Sequence, residues 1–388
     1  MSLLHKVFDT LLTAVSKVVD FALRRRSFPL RIFRAGLILI GATAAGSWVS
    51  SLFYADDVRA LSLHIEISGG TPELITWLAF MIGLVLTAVG GVWEAIRFAE
   101  EERKEEERRA RRRVVVIEQR GLAKSSGSPL KDALPKDVVG VPQSILLDHT
   151  PYVENNSVTD PERVVGEVAT VRHDLERSVS DVAREDVTVV YGGVSPVPLT
   201  FLAGFLLDDD GAVRIVDWDR GEARWRSLDG ADDGERFIVD GFDRVPRGAA
   251  EVAVAVEVSY AVDADAVGRS LGAVPVVRLS LPTIDKDNHW SDAKQRALAA
   301  QFLKVVSDLG NRGVRTIHLF LVAQNSVVFR LGQRYDQRNL PEVLVHQYEK
   351  TANPPHPWAV KMPTHGINRP VVVRRAPLAV QHPTDHSA

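Results

Sequence analysis

Two stretches of the chain carry no charged side chain for twenty residues each, Ala35–Tyr54 (AGLILIGATAAGSWVSSLFY) and Leu74–Trp93 (LITWLAFMIGLVLTAVGGVW). As helices, both match a hydrocarbon core of about 30 Å and place aromatic residues near an end. They predict a transmembrane hairpin. Arg24, Arg25, Arg26, Arg31 and Arg34 precede the first run, and Arg97, Arg103 and Lys104 follow the second. The loop between holds Asp56, Asp57, Glu66 and Glu73 against Arg59. Membrane proteins keep their basic flanks inside, so both termini are expected in the cytoplasm and the loop outside. Gly41, Ala42, Ala45 and Gly46 in the first run, with Gly83, Thr87, Gly90 and Gly91 in the second, allow close helix approach. They serve the packing of one hairpin or the assembly of many.

The flanks extend this outline. Met1–Ser27 has apolar residues at helical spacing, Leu4, Val7, Phe8, Leu11, Val15, Val18, Val19 and Ala22, beside Lys6 and Lys17. Its positive charge follows the apolar part, which suits a helix lying in the membrane interface over residues 1–27, or an amphipathic helix packed on protein, rather than a signal peptide. Glu94–Arg113 pairs Glu100 with Lys104, Glu105 with Arg109 and Glu107 with Arg111, acid first and four apart, as in a solvated helical connector. A formal net charge of −3 argues against binding nucleic acid by bulk electrostatics. With no cysteine there is neither a disulfide frame nor a thiolate site.

From Val114 onward strands and helices alternate, the pattern of an α/β domain. Val114–Ile117, Ser144–Leu147, Val187–Tyr191 and Val213–Trp218 read as strands of a first half. Pro161–Arg184 reads as one helix, with Asp160 as N-cap and Val164, Val168, Val171, Leu175 and Val179 as its stripe. After the polar connection Glu222–Arg247, strands are expected at Val252–Val258, Val274–Leu281 and Thr316–Val322, and helices at Asp263–Leu271 and Trp290–Leu309. The domains expected are residues 1–27, the spans within 28–93, the connector 94–113 and a soluble domain 114–388. Its halves run from about 114 to 221 and from 250 to 363, with a tail from 364.

One unit occurs twice. VTVVYGGVSPVPLTFLAGFLL from Val187 and IHLFLVAQNSVVFRLGQ from Ile317 align with a constant offset. Thr188 then faces Thr316, Val194 faces Val322, Phe201 faces Phe329, Gly204 faces Gly332 and Asp208 faces Asp336. A two-residue allowance places Val213, Trp218 and Asp219 opposite Val343, Tyr348 and Glu349. A duplicated strand–helix–strand unit has two pseudo-equivalent loops, a cradle for one pseudo-symmetric ligand. Gly192, Gly193 and Ser195, where a strand hands over to a helix, offer backbone N–H groups to an anion.

VVVIEQRGL, VTVVYGGVSPVPLTFLAGFLL, VAVAVEVSYAVD and IHLFLVAQNSVVFRLGQ…VLVHQYE give residues 114 to about 363 a resemblance to the SAVED domain, the bacterial sensor of cyclic-oligonucleotide anti-phage systems (CBASS). The two runs ahead of it resemble those of two-transmembrane (2TM) SAVED effectors. The resemblance implies a transmembrane hairpin plus an α/β domain of two fused CARF-like, Rossmann-type halves. It also implies a cyclic di-, tri- or larger oligonucleotide held between the halves, a cyclic trinucleotide foremost, made by a partner nucleotidyltransferase of the CD-NTase type. Membrane lipid and further copies of the chain are the other partners implied, at the bacterial inner membrane. Ala323-Gln324-Asn325-Ser326 departs from the proline-containing loop that relatives often carry.

No HExxH, P-loop or GxGxxG motif is present, and His149, His173, His289, His318 and His346 lack metal-ligand spacing. Asp208-Asp209-Asp210 reads as a turn, and Asp217-Trp218-Asp219 as a strand end. No nucleophile–base pair stands out, so the expectation is a sensor with no enzymatic activity, no metal, no cofactor and no DNA or RNA substrate. Phosphates call for N–H groups and cations, and bases call for aromatic planes and polar edges. The ligand residues expected are Gln119, Arg120, Gly192, Gly193, Ser195, Ser259, Tyr260, Gln324, Asn325 and Ser326, with Trp290 and Lys294 at the start of the adjoining helix. The rival reading is a membrane-anchored sensor that regulates a separate protease or nuclease, or a scaffold recruiting a partner through Glu222–Arg247.

Overall fold

Helix α1 (Phe28–Ala44) and helix α2 (Glu73–Arg111) form the N-terminal part of a computed structural model. Residues 27–44, 73–122, 129–155, 157–208, 213–335, 339–364 and 369–374 are described. They fall into two compact units, Met1–Arg108 and Arg109–Ala388. The interfacial helix expected before Ser27, the first run beyond Ala44, Asp209 to Gly211, Asp336 and the tail past Arg374 lie outside the described residues.

In the first unit, the described residues include one helix, Leu74–Glu107, long and apolar enough to cross a membrane. The run expected at Leu74–Trp93 and most of the charged connector are continuous within it. Small residues bring α1 and α2 together. A Cβ on Gly83 would lie 3.0 Å from the Gly36 carbonyl oxygen, and one on Gly90 only 2.5 Å from the Phe33 nitrogen. The glycines at these positions therefore close one hairpin on itself, while among the described residues nothing lies within 4 Å of the Cβ position of Gly41. At the other end of the contact, Ser27 Oγ donates to Glu94 Oε2 at 2.8 Å, and Phe28 meets Trp93 edge-on. Ile38, Leu74, Trp77, Leu78 and Val92 are at least 60% exposed. An apolar exterior of this kind is suited to lipid.

The second unit holds two sheets. In the first half, β1 (Arg113–Arg120) pairs in parallel with β2 (Val141–Asp148) on one side. On its other side it pairs in parallel with β5 (Val187–Val194), which follows the two-residue strands β3 (Val153–Glu154) and β4 (Ser157–Val158). Strand β6 (Arg214–Asp219) extends the sheet in parallel and β7 (Arg224–Ser227) closes it antiparallel, giving the order β2-β1-β5-β6-β7. In the second half, β8 (Ile238–Asp240), β9 (Glu251–Glu257), β10 (Val276–Ser280), β11 (Thr316–Val322), β12 (Glu342–Gln347), β13 (Trp358–Lys361) and β14 (Val371–Arg374) take the order β14-β13-β12-β11-β9-β10-β8. Its parallel centre, β10-β9-β11-β12, repeats β2-β1-β5-β6 strand for strand. The outer strands β7 and β8 come from the Glu222–Arg247 connection, which thus serves both sheets.

The helices are α3 (Pro161–Val168), α4 (Val171–Ser178), α5 (Val197–Leu206), α6 (Ala264–Leu271), α7 (Asp292–Asn311) and α8 (Asn325–Gln333). The single helix expected over Pro161–Arg184 is two. The chain turns at Ala169-Thr170, where Thr170 Oγ1 donates to the Glu167 carbonyl and to Asp174, a local bond that competes with helix propagation. The expected stripe still buries Val164, Val168, Val171 and Leu175.

Helices α5 and α8 pack on each other between the sheets, α5 against β12 and β13, α8 against β5 and β6. Their contact is reciprocal. A Cβ on Gly204 would sit 2.9 Å from the Phe329 carbonyl carbon and 3.0 Å from the Gln333 nitrogen. One on Gly332 would sit 3.0 Å from the Phe201 carbonyl carbon and 3.1 Å from the Phe205 nitrogen. Each pair maps onto the other under the offset of the sequence repeat, the signature of a twofold-like axis through the contact. One apolar core runs through both halves, from Val115, Ile117 and Val189 through Phe201 and Phe329 to Val252, Val254 and Val345. Alternate residues of the central strands face outward into two smaller clusters, Val114, Val116 and Val190 in one half, Ala253, Ala255 and Phe320 in the other.

Candidate functional site

Strand order reverses between β1 and β5 and again between β9 and β11. The carboxyl ends of strands at such a switch point are where open α/β sheets take ligands. The two ends are built alike. The N–H groups of Gly121 and Leu122, just past β1, both donate to the Val194 carbonyl at 2.9 and 3.1 Å. Those of Val258 and Ser259, just past β9, both donate to the Val322 carbonyl at 3.0 and 3.1 Å. The ends also meet. Asn325 Nδ2, at the start of α8, donates at 3.1 Å to the Ser195 carbonyl and to Thr200 Oγ1.

Strand β5 continues to Val194, so Gly192 and Gly193 are buried ladder residues, a correction to the loop expected there. Gly192 has no side chain because Leu130, Trp225 and Val216 crowd its Cβ position at 2.9 Å, and Gly193 lies against the Tyr191 hydroxyl. Strand β1 likewise takes in Gln119 and Arg120. Gln119 is fully buried, accepts from Tyr191 Oη at 2.7 Å and approaches His149 Nε2 at 3.4 Å. Arg120 is paired with buried Glu118 at 2.6 Å. These polar groups serve the interior, with Ser195 and Pro196 left as the loop.

On the second half, Tyr260 is 64% exposed and Ser259 half-buried. Gln324 Nε2 donates to the Lys286 carbonyl at 2.6 Å, and Asn288 Nδ2 to the Val258 carbonyl at 3.3 Å, so the loops after β9, β10 and β11 are tied together. Trp290 lies under the Arg226 guanidinium at 4.5 Å, a cation–π contact. Lys294 is 1% exposed, its Nζ 2.6 Å from Asp233 and 3.3 Å from Glu235. Ser326 is buried, and its Oγ accepts from Gln295 Nε2 at 2.9 Å.

Sequence reasoning missed Asp217. Its Oδ2 accepts the Ser326 N–H at 3.0 Å, so a carboxylate from β6 of the first half caps α8 of the second, whose N-cap residue Gln324 makes no capping bond. The asymmetry has a reason. The pseudo-equivalent of Ser326 is Pro198, which has no N–H to cap, and that of Asp217 is the neutral Gln347. The signal was present as this paired exchange. Asp217→Ala also strips the Trp218 N–H of its acceptor and is expected to cost about 3 kcal/mol in denaturant unfolding, as for a lost buried charge-assisted bond. A cost below about 0.5 kcal/mol, the level of an ordinary surface substitution, would contradict the capping role.

Around this junction several buried atoms make no hydrogen bond within the described residues: Ser195 Oγ, both ring nitrogens of His289, and the Oε1 atoms of Gln295 and Gln324. His289 Nε2 lies 3.6 Å from Asp217, and burial holds the imidazole below its ordinary pKa despite that carboxylate. A separate groove of about 640 Å³ between α3 and Arg369–Val372 is lined by none of the expected ligand residues.

Comparison with known families adds the decisive observation. Residues 8–165 match the SAVED-fused 2TM effector domain, and residues 171–362 match SAVED, the SMODS-associated sensor domain fused to various effectors. The chain belongs to the SAVED-fused 2TM effectors. The family boundary near residue 165 differs from the fold boundary, since β1 and β2 share a sheet with β5 of the SAVED segment. No curated protein matches the chain. Solved structures similar to it include the Acinetobacter baumannii Cap4 SAVED/CARF-domain containing receptor with the cyclic trinucleotide 2′3′3′-cAAA (13% identity, TM-score 0.45) and with 3′3′3′-cAAA (14%, 0.45). In both comparisons 75% of this chain and 61% of the Cap4 chain are covered. The Moraxella osloensis Cap4 receptor is similar at 12% identity and TM-score 0.43, over 77% of this chain and 60% of that one. The chain thus spans about three-fifths of the length of these receptors.

Proposed function

We propose that this SAVED domain binds a cyclic oligonucleotide, foremost a cyclic trinucleotide from a CD-NTase-type enzyme, and that the bound form drives a membrane effector in anti-phage signalling. The observation that carries the proposal is the meeting of two equivalent strand-end loops about a twofold-like axis, with unpaired buried polar atoms gathered there. A ring of repeated nucleotides offers the same groups in several directions, which suits a site assembled from repeated parts. Tyr260 supplies an exposed plane for a base, and Ser195, Ser259, Gln324 and Asn325 supply polar edges. Trp290 and Lys294, by the start of α7, together with Gln119, Arg120, Gly192, Gly193 and Ser326, complete the residues proposed for the site. Protein chemistry is confined to binding, and no bond is made or broken. Both termini and the SAVED domain lie in the cytoplasm, and two helices per chain lie in the inner membrane. Ligand promotes assembly through its higher affinity for the assembled form, and the gathered hairpins breach the bilayer.

Equilibrium binding to the full chain in lipid nanodiscs tests the first step. Cyclic triadenylates are expected to bind at least tenfold more tightly than linear triadenylate. Tyr260→Ala is expected to weaken the ring by about tenfold at unchanged stability, the value of one stacked base. Equal affinity for ring and line would overturn the proposal.

A further inference from the structure

Resting on that function, we propose that Asp233 and Glu235 act as an internal stand-in for ligand phosphate, neutralising Lys294 until the anion displaces them. Lys294 sits in the first turn of α7, next to the N-cap Ser291, where the helix dipole disfavours a cation. Its ammonium is nonetheless buried, a state that requires an anion at close range. The anion comes from the segment between β7 and β8, which is fastened along α7 at both sides of Lys294. Asp229 bridges to Ser291, and Phe237 exchanges two hydrogen bonds with Gln301.

The pair is lopsided. Lys294 has 1% of its side chain in solvent, whereas Asp233 has 48% and Glu235 has 25%. The acids border water and can turn into it, but the ammonium cannot follow them, so they leave only as another anion takes their place. The Lys294 ammonium beside Asp233 holds that carboxyl below the usual carboxylate range, so the acid is ionised whenever a ligand arrives. Thr283 Oγ1 steadies Glu235 at 2.7 Å, and the chain turns back at Gly234 with positive φ. The charge that Lys294 offers an arriving phosphate is therefore in place and already answered by carboxylates. Displacement exchanges the two carboxylate contacts of Lys294 for a phosphate contact, so affinity is set by competition between the anions.

The doubly neutralised Asp233→Asn/Glu235→Gln chain in nanodiscs discriminates this role from a mere staple. Without ligand its Tm is expected to fall, because the buried ammonium loses its partners. With 3′3′3′-cAAA the loss is expected to be recovered, with a larger ligand-induced rise than wild type and roughly tenfold tighter binding. Lys294→Gln is expected to weaken the ring by a similar factor. A lower Tm with no recovery, or unchanged affinity in the double variant while wild type binds the ring, overturns the stand-in. Failure of wild type to bind any cyclic triadenylate overturns instead the function on which it rests.

Discussion

Gly204→Val is expected to destabilise the folded α/β unit severely, and Gly332→Val to do the same. At each position a side chain would press on the backbone of the opposite helix rather than on a movable side-chain end. Relief needs α5 and α8 to part, and with them the core shared by both halves. Overpacking of a well-packed core typically costs about 1–3 kcal/mol and occasionally more, and collision with backbone places these variants at the upper end, a large share of a typical domain's stability. The control is Gly166→Ala in α3, where nothing lies within 4 Å of the Cβ position. It is expected to leave stability equal or raise it by up to about 1 kcal/mol through helix propensity. Protease resistance and denaturant unfolding of the full chain read both. Near-wild-type stability of Gly204→Val would mean that the helix contact is looser than the twofold-like packing requires.

The same contact shows how far the residues alone could lead. Alignment of Phe201 with Phe329 and Gly204 with Gly332 needs no coordinates, and it located the axis of the domain. Parallel strands betrayed themselves by short apolar runs, because both of their faces are buried. Their ends did not. Gln119, Arg120, Gly192 and Gly193 looked like loop residues, yet they extend β1 and β5 since Glu118, Tyr191 and His149 answer their polar groups inside the fold. A glycine pair after a strand is ambiguous in this way: it permits exposure to an anion, and it equally permits close packing under Trp225 and Leu130.

Roles that span the two halves were the least visible. Asp217 caps a helix more than a hundred residues away, and only the pairing of Pro198 with Ser326 hints at it. Lys294 looked like a free cation at a helix start, and its burial follows from a segment folding back along α7, a tertiary event without a local pattern. The small residues of the two apolar runs allowed two uses. Gly36, Gly83 and Gly90 are spent within one hairpin. In the proposed assembly, contacts between hairpins would fall to the exposed apolar surface of α2.

That leaves the step from ring capture to membrane damage, where the largest functional effect is expected. Two features make the coupling physical. The proposed site draws its two sides from different halves of the SAVED domain, so a ligand bridging them would change the relative stability of their arrangements. The hairpin presents an apolar exterior, which in the proposed mechanism lipid covers in a lone copy and neighbouring copies cover in an assembly. In the proposed mechanism ligand preference for an assembled state supplies the drive, so release is expected to track occupancy and saturate with it.

Vesicles carrying the full chain and loaded with a self-quenched dye measure this directly. Cyclic triadenylate is predicted to trigger dye release, linear triadenylate to trigger none, and Tyr260→Ala to shift the response to about tenfold higher ligand concentration. Release of equal extent without ligand, or intact vesicles when the ring is demonstrably bound, would contradict the account.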